Sequence, residues 1–365
     1  MLKFKFLKNF DWILFVATVL LLAMGVSVLY STTLNMIGGS GEAIKQLIYA
    51  SIGLVTFFIA STFDYRLLKG YTPFLYLIIL GALVILFFVG KTAMGATRWI
   101  DLGFFQLQPS EIAKIFMIII MAKYFAVHHE SMNKFKHILR SFIFILIPVL
   151  LVAAQPDLGT SIVFIVIWLS MVLVSNIKKI YVLGMGLGGL MIIPIAWQFL
   201  ADYQKQRILT FMEPSNDPKG AGWNVTQAMI AIGSGRFFGR GLGHGPQSQL
   251  NFIPEKHTDF IFAAMAEELG FLGVMVFMGL FLVIILRGIR AAVNSNDLFG
   301  MYLATGITAM IFFHVFVNIG MNIGIMPVTG IPLPLTSYGG TSVIVTLVSI
   351  GILESIIRRY KKIDF

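Results

Sequence analysis

The chain has 365 residues, of which 58% are hydrophobic and 12% are charged, and its mean hydropathy is +0.87. Soluble globular proteins carry about 25% charged residues, so this composition excludes an ordinary water-soluble domain. Many apolar runs exceed the roughly 18 residues needed to cross a hydrocarbon layer of about 30 Å. We therefore predict an all-α integral membrane protein.

Cysteine is absent, which excludes disulfides and cysteine-ligated metal sites. The first apolar run, from Trp12 to about Tyr30, is too long for the apolar region of a signal peptide, so no cleavable signal is expected. In a membrane protein the distribution of the net charge of +10 matters more than its sum. The charge is therefore interpreted as topology, and no nucleic acid partner is expected.

Ten apolar segments are predicted to span the membrane. They lie near residues 11–31, 45–63, 72–90, 110–127, 140–154, 158–176, 180–200, 259–286, 298–322 and 336–357. The segment from about 201 to 258 is the longest stretch between spans, and loops of this length are usually functional. We predict a single polytopic domain over residues 1–365 with segment 201–258 as one large extracytoplasmic loop.

Lysine and arginine residues indicate the orientation, because they are enriched in cytoplasmic loops. With a cytoplasmic N-terminus, 17 of the 27 basic residues lie on the cytoplasmic side. They are Lys3, Lys5, Lys8, Arg66, Lys69, Lys123, Lys134, Lys136, Arg140, Lys178, Lys179, Arg287, Arg290, Arg358, Arg359, Lys361 and Lys362. Six of the other ten lie in the long loop, where the rule carries little weight. Both termini are therefore predicted to be cytoplasmic.

Ionisable residues in membrane spans are costly, so each is a functional candidate. Pro109 and Ser110 predict a helix start, and Glu111 and Lys114 are then three residues apart on one helix face. They form either a simple intrahelical ion pair or a carboxylate and an ammonium that line a polar cavity. Asp157, in the turn before Leu158, either caps the next helix or lines the same cavity.

Asp259 begins the eighth predicted span and follows Glu255, Lys256 and His257, so four ionisable groups occupy five positions at a membrane boundary. Asp is also a favoured helix cap, which is the simpler interpretation. Crowded charges shift one another's pKa values, as a general base requires. Glu267 and Glu268 lie two turns deeper, and one of them is expected to line the same cavity.

Three further segments carry polar groups on the predicted outer surface. The glycine-rich stretch 233–245 contains Arg236 and Arg240, and it is either a phosphate-binding loop or simply flexible. Residues 332–341, with Ser337, lead into the last span. His314, Asn318 and Asn322 recur every four residues, a stripe that favours interhelical hydrogen bonding over catalysis.

Four of these blocks, taken in order, resemble the SEDS family (shape, elongation, division, sporulation) of bacterial cell-wall polymerases. The blocks are Gln108-Pro109-Ser110-Glu111, Gln155-Pro156-Asp157-Leu158-Gly159-Thr160-Ser161, residues 252–268 with their Pro-Glu-Lys-His-Thr-Asp core, and residues 334–340. Residues 326–334 are more similar to the RodA-type branch than to the FtsW branch. Trp223-Asn224 departs from the family pattern, outside these blocks.

The resemblance implies a peptidoglycan glycosyltransferase that polymerises lipid II in the bacterial cytoplasmic membrane, with its site facing outward. It implies Asp259 as the catalytic base, with Glu111 and Lys114 as further catalytic residues. The expected substrate-binding residues are Asp157, Arg236, Arg240, Lys256, His257 and Ser337. A divalent cation, magnesium or manganese, is a possible cofactor, but its ligands are unknown.

Membrane lipids and a class B penicillin-binding protein, the transpeptidase that crosslinks new strands, are the expected partners. Two alternatives remain. A flippase for lipid-linked sugars, without covalent chemistry, would also have a polar cavity between helices. A scaffold for wall synthesis would tolerate loss of both Asp259 and Glu111.

Overall fold

The computed structural model describes residues 9–33, 40–93, 96–101, 103, 106–213, 220–250, 252–253 and 255–360. Within these ranges it forms thirteen α-helices and three short strands. The first seven helices are α1 (Trp12–Thr33), α2 (Ser40–Thr62), α3 (Leu68–Val89), α4 (Pro109–His128), α5 (Phe135–Ala154), α6 (Leu158–Val174) and α7 (Lys179–Phe199). The other six are α8 (Asp202–Met212), α9 (Ala221–Ser234), α10 (Pro246–Gln249), α11 (Ile261–Val293), α12 (Leu298–Asn322) and α13 (Gly340–Tyr360).

Seven of the described helices are long and apolar enough to cross a membrane: α1, α2, α3, α5, α11, α12 and α13. Helices α6 and α7 contribute shorter apolar stretches. Helix α4 carries Glu111, Lys114 and Lys123 within its 20 residues, so it is less apolar than the others. The all-α membrane prediction is confirmed, and the count of ten crossings stays a prediction.

A small antiparallel sheet lies between α3 and α4. Strand β2 (Ala96–Asp101) pairs with β1 (Lys91–Ala93) on one side and with β3 (Gln106–Leu107) on the other. Thr341 in the first turn of α13 ties this sheet to the bundle, because its hydroxyl donates to the Gln106 carbonyl at 2.9 Å. The sheet therefore lies at the end of the bundle where α4 and α13 begin.

The centre of the bundle consists of α12 and α13, which have the largest buried shares among the seven apolar helices. Helix α12 packs against α4, α6 and α11, and α13 packs along α2. Helix α13 begins at Gly340, later than the predicted residue 336, because Leu335 adopts a φ of +66° and the chain turns there. Segment 333–339 is consequently a loop that lies against the start of α11.

Helix α11 is interrupted at Gly270, whose φ of 68° and ψ of −171° are not helical. The glycine-rich turn before α10 fills the gap in the hydrogen-bond ladder. The amides of Arg240 and Gly241 donate to the carbonyls of Glu267 and Glu268 at 2.9 and 3.0 Å. The Phe271 amide donates in turn to the Arg236 carbonyl at 2.9 Å. The break thus keeps its backbone groups paired, as a membrane protein requires.

Two polar contacts, one at the residue before α1 and one near the end of α1, locate the break in α11 relative to α1. Asp11 pairs with Arg287 at 3.3 Å, and the Ser31 hydroxyl donates to Glu268 at 2.5 Å. At 1.5 Å per residue these contacts are about 30 Å apart along α1, close to the thickness of a hydrocarbon core. Residues 261–268 of α11, beyond the second contact, are buried on every face. The segment after Gly270 exposes apolar side chains such as Phe271 and Leu272, and the extent of the span predicted over 259–286 stays a prediction.

Replacing Gly270 by alanine should destabilise the protein by a few kcal/mol. A side-chain carbon at Gly270 would lie 2.1 Å from the Gly239 nitrogen, and its φ of 68° is strained for any other residue. Gly279 in the same helix is the matched control, because a side-chain carbon there meets nothing within 4 Å. We expect Gly270→Ala to lower the thermal midpoint in detergent while Gly279→Ala leaves it near wild type. Equal midpoints for the two variants would contradict this account of the break.

Candidate functional site

A polar cavity of about 480 Å³ opens at the end of the bundle where α4, α6, α11 and α13 begin. Its ionisable lining residues are Lys45, Arg98, Asp101, Glu111, Asp157, Glu255, His257 and Asp259, together with Tyr49 and Tyr338. The N-terminal ends of helices carry partial positive charge. Lys45, Arg98 and these helix ends supply the positive groups of a wall that also carries five carboxylates.

The cavity is recessed into the bundle. Thr336, just before α13, packs against Gly25 of α1 so closely that a side-chain carbon on Gly25 would lie 2.6 Å from the Thr336 Cα. Gly25 precedes Ser31 by six residues in α1. The contact with Thr336 therefore lies about 9 Å along α1 from the Ser31–Glu268 contact, toward the start of that helix. The loop before α13 therefore lies beneath the rim of the bundle.

Asp259 lies in the turn 255–260 that precedes α11, and its side chain lines the cavity. The Phe260 amide donates to the Glu255 carbonyl at 3.0 Å and closes the turn. Asn318 and Asn322 of α12 both donate to the Asp259 carbonyl, at 3.2 and 3.0 Å. The carboxylate is thus held by backbone contacts that leave its side chain facing the cavity.

Burial, together with the negative charge of the neighbouring Glu255, raises the pKa of Asp259 to about 6. Arg207 and Arg98 act in the opposite direction. Arg207 reaches this region from α8, where its Nη1 donates to the Val328 carbonyl at 3.3 Å. The carboxyl group of Asp259 is therefore a stronger proton acceptor than an ordinary aspartate while remaining ionised near neutral pH.

Ser337 and His257 belong to two loops that support each other. The Ser337 hydroxyl donates to the Thr258 carbonyl at 2.7 Å and accepts from the Leu333 amide at 2.9 Å. The Tyr338 amide donates to the His257 carbonyl at 2.9 Å. Ser337 is buried behind the turn and does not line the cavity, whereas His257 does. The structure therefore places Ser337 where it supports the Asp259 turn and away from a ligand.

Glu111 and Lys114 form the predicted ion pair, but only Glu111 lines the cavity. Their Oε1 and Nζ atoms are 2.6 Å apart in the first turns of α4, which starts with Pro109. Glu111 lines the cavity, but Lys114 lies behind it, buried, with its Nζ 2.8 Å from Nε2 of His314. The pair thus presents its carboxylate to the cavity and its ammonium to the bundle interior.

Asp157 also combines the two alternatives considered for it. It caps α6, accepting from the amide of Thr160 at 3.3 Å and from its hydroxyl at 2.9 Å, and it lines the cavity. Nη1 of Arg98 in β2 lies 4.0 Å from Oδ1 of Asp157. The buried Nε of Arg98 has no partner within the described part of the chain. Arg98 was not among the residues predicted from the sequence, although it lies beside Trp99 and near Asp101, which also line the cavity.

Three predicted substrate-binding residues lie away from the cavity. Arg236 and Arg240 are exposed, and the glycines around them allow the turn to approach α11, as at Gly239, where a side-chain carbon would lie 2.1 Å from the Glu268 carbonyl oxygen. Lys256 is buried and donates to the Ser248 carbonyl. The geometry does not support the predicted contacts of these three residues with a ligand in this cavity.

Glu267 and Glu268 do not line the cavity either, so that expectation was wrong. Glu267 accepts from the amides of Gln247 and Ser248, both at 2.9 Å, and thereby caps the short helix α10. Glu268 accepts from Ser31 and from the Gly243 amide. Both carboxylates hold the long loop against α11.

A metal ion would need ligands that the described residues do not bring together, since no three His, Asp or Glu side chains among them converge into a possible site. Magnesium is often held by one or two carboxylates together with substrate phosphates. The cavity wall offers five carboxylates, of which Asp157 and Glu111 stand at the starts of α6 and α4. A cation bound together with a phosphate-bearing ligand therefore stays a prediction.

The chain matches a known protein family over nearly its whole length. The FtsW, RodA and SpoVE family of cell cycle proteins matches residues 11–362. Among curated proteins, the chain is 41% identical over 340 residues to the peptidoglycan glycosyltransferase MrdB of Escherichia coli (strain K12), covering 92% of this chain and 90% of that protein.

Solved structures agree with this assignment. A chain from a peptidoglycan synthase complex that coordinates polymerization and crosslinking superposes with a TM-score of 0.80 at 28% identity, covering 97% of this chain and 99% of that one. The rod shape determining protein RodA of Thermus thermophilus superposes with a TM-score of 0.70 at 27% identity, covering 98% and 99%. The chain therefore belongs to the FtsW, RodA and SpoVE family, the SEDS family that its motifs resemble, and is of the RodA type.

Proposed function

We propose that this RodA-type peptidoglycan glycosyltransferase polymerises lipid II into β-1,4-linked glycan strands during cell elongation, with Asp259 as general base. The observation that carries the proposal is a carboxylate with a raised pKa in a recessed polar cavity that also holds cations and helix N-termini. The similarity to peptidoglycan glycosyltransferases supplies the reaction class.

The reaction joins the C4 hydroxyl of an acceptor GlcNAc to the anomeric carbon of a donor MurNAc. As the new C–O bond forms, the bond to the α-linked pyrophosphate lipid breaks, and the anomeric centre inverts to the β configuration. The hydroxyl proton passes to the carboxylate of Asp259, and the bonding electrons leave with the pyrophosphate. General base catalysis of this kind contributes about 10²–10⁴-fold.

Charge developing on the pyrophosphate needs stabilisation by groups that are already in place. Arg98 and Lys45 line the cavity and are the cations best placed for this role. Lys114 lies behind Glu111 and acts by holding that carboxylate. A magnesium or manganese ion carried by the pyrophosphate would add further neutralisation, with Asp157 or Glu111 as its protein ligand.

We further propose that the cavity faces the periplasm or cell exterior from the bacterial cytoplasmic membrane. The contact between Asp11 and Arg287 lies at the opposite end of the bundle from the cavity, and that end holds the basic C-terminal turn of α13. Basic residues concentrate on the cytoplasmic side of membrane proteins. This arrangement supports cytoplasmic termini and an outward-facing site.

The proposed partner is a class B penicillin-binding protein that crosslinks the new strands. The structural similarity to a chain of a complex that coordinates polymerization and crosslinking supports it.

A flippase would need polar contacts for the headgroup through the depth of the bilayer. The ionisable residues of the cavity are gathered at one end of the bundle, an arrangement that favours the polymerase over transport.

Replacing Asp259 by asparagine should lower the polymerisation rate by about 10²–10⁴-fold, because asparagine cannot accept the proton. The interhelical bonds to Asp259 use its backbone carbonyl, so the fold should be retained. The measurement is glycan chain formation from labelled lipid II by purified protein, with and without a class B penicillin-binding protein. Asp202→Asn, an exposed position in α8, is the control and should be unchanged. Near wild-type polymerisation by Asp259→Asn would refute the assignment.

The pH dependence of kcat/KM should show an acidic limb with an apparent pKa near 6, because only deprotonated Asp259 accepts a proton and its pKa is raised to about 6. Glu255 raises that pKa, so Glu255→Gln should move the limb to lower pH. Arg207 lowers it, so Arg207→Gln should move the limb to higher pH. Rate profiles for the three proteins test this, and a limb that neither substitution moves would contradict Asp259 as its origin.

Substitutions of two arginines test which segment contacts the substrate: the cavity wall with Arg98, or the glycine-rich segment 233–245 with Arg236. Arg98→Gln should reduce kcat by about 10²–10³-fold, the typical cost of losing one group that stabilises transition-state charge. Arg236→Gln should change the rate less than about twofold, because Arg236 is exposed outside the cavity. Both are assayed with lipid II under identical conditions. A larger loss for Arg236→Gln than for Arg98→Gln would restore the sequence-based assignment.

A further inference from the structure

A buried histidine extends the ion pair of α4 into the centre of the bundle. His314 on α12 is 4% exposed, and its two ring nitrogens have different partners. Nε2 lies 2.8 Å from Nζ of Lys114, and Nδ1 lies 2.7 Å from the Met310 carbonyl oxygen. The chain of contacts runs from the α12 backbone through His314 and Lys114 to Glu111 in the cavity wall.

These partners assign the tautomer of His314. A carbonyl oxygen only accepts, so Nδ1 must carry the proton. A lysine ammonium only donates, so Nε2 must have a free lone pair. Only the neutral imidazole protonated at Nδ1 satisfies both contacts, since an imidazolium would present a second donor to the ammonium. His314 therefore acts as a hydrogen-bond acceptor for Lys114.

The contact with His314 determines where the Lys114 ammonium sits. Lys114 is 2% exposed, so water offers it few alternative partners, and a buried ammonium without acceptors is costly. Glu111 and His314 hold it from two sides, at 2.6 and 2.8 Å. Without His314, the ammonium would be free to move around Glu111 and draw that carboxylate away from its place in the cavity wall.

The same helix also holds the other carboxylate of the site. Asn318 and Asn322, one and two turns beyond His314, donate to the carbonyl of Asp259. Helix α12 thus contacts Asp259 through Asn318 and Asn322, and it contacts Glu111 indirectly, through His314 and Lys114. The helix therefore fixes the two carboxylates relative to each other. Misplacement of a reacting group by about 1 Å can cost about 10²-fold in rate.

We propose that His314, as the neutral Nδ1–H tautomer, is a positioning residue that holds Lys114 against Glu111 and so sets Glu111 relative to Asp259. The proposal rests on the proposed function for the catalytic roles of Glu111 and Asp259. His314 does not line the cavity, so it acts through Lys114 and not on the substrate.

The kinetic test compares His314→Gln with His314→Leu. Glutamine can place an acceptor near the position of Nε2, whereas leucine offers none. His314→Gln should keep kcat within about threefold of wild type, and His314→Leu should lower kcat by about 10- to 100-fold with KM within about threefold. Thr308→Val is the control on α12, because the Thr308 hydroxyl donates to the Ala304 carbonyl within its own helix, and it should stay within about twofold of wild type.

A spectroscopic test is independent of activity. The chain has six histidines, and nitrogen NMR of protein labelled with ¹⁵N-histidine resolves their tautomers, with His314→Gln identifying the His314 signals. We expect protonated Nδ1 and unprotonated Nε2. Lys114→Met should shift the Nε2 signal, and Asp259→Asn should leave it in place.

The outcomes separate this proposal from the proposed function. An Nε2–H tautomer, an Nε2 signal unaffected by Lys114→Met, or equal losses of kcat in His314→Gln and His314→Leu would each overturn the positioning role. A normal rate for Asp259→Asn would instead overturn the proposed function, and the NMR signature of His314 would be unaffected by that result.

Discussion

Two asparagine side chains hold the backbone carbonyl of Asp259, and the arrangement of the polar end of the bundle depends on this interaction. The bilayer core supplies no hydrogen-bond partners, so every polar group there must be satisfied within the protein. Asn322 links Asp259 to α11 as well, because its side-chain oxygen accepts from the Ala263 amide at 3.2 Å. Asn318 also donates to the Ile331 carbonyl at 2.8 Å and so fixes the loop before α13. One face of α12 therefore joins the turn 255–260, the start of α11 and the loop before α13.

The break at Gly270 lets one helix serve two environments. Residues 261–268 are buried on all sides and carry the polar contacts that a site needs, whereas Phe271 and Leu272 are exposed at the start of the lipid-facing segment. Without the break at Gly270, residues 261–268 would continue along the axis of the segment that follows it. The glycine-rich turn supplies hydrogen-bond donors to the carbonyls of Glu267 and Glu268, which precede the break. Conformational freedom in that turn thus serves helix packing, and phosphate binding by the same glycines stays a prediction.

Sequence reasoning located the cavity residues that lie at helix starts and failed where the fold brings distant segments together. Glu111, Asp157 and Asp259 each stand at the beginning of an apolar helix, so their convergence followed from topology alone. Arg98 and Arg207 lie on a short strand and on a loop helix, whose positions depend on long-range pairing that hydropathy does not encode. Ser337 was correctly placed near the site, but a serine can contact either a ligand or a backbone carbonyl, and only the three-dimensional contacts distinguish the two.

Lys256 shows most clearly how side-chain direction sets the chemistry of the turn. It is three residues from Asp259, and its ammonium points away from the cavity toward Glu267 and Glu268. Burial lowers the pKa of Lys256, and these carboxylates act against that shift. Had the ammonium turned into the cavity, it would have paired with Asp259 and lowered the pKa of that carboxyl group, since an adjacent positive charge favours the ionised form. A carboxylate paired in that way would be a poorer base for a sugar hydroxyl. Because the Lys256 ammonium lies near the buried glutamates, the charge on the turn that acts on Asp259 is that of Glu255. Burial and this negative charge together raise the pKa of Asp259.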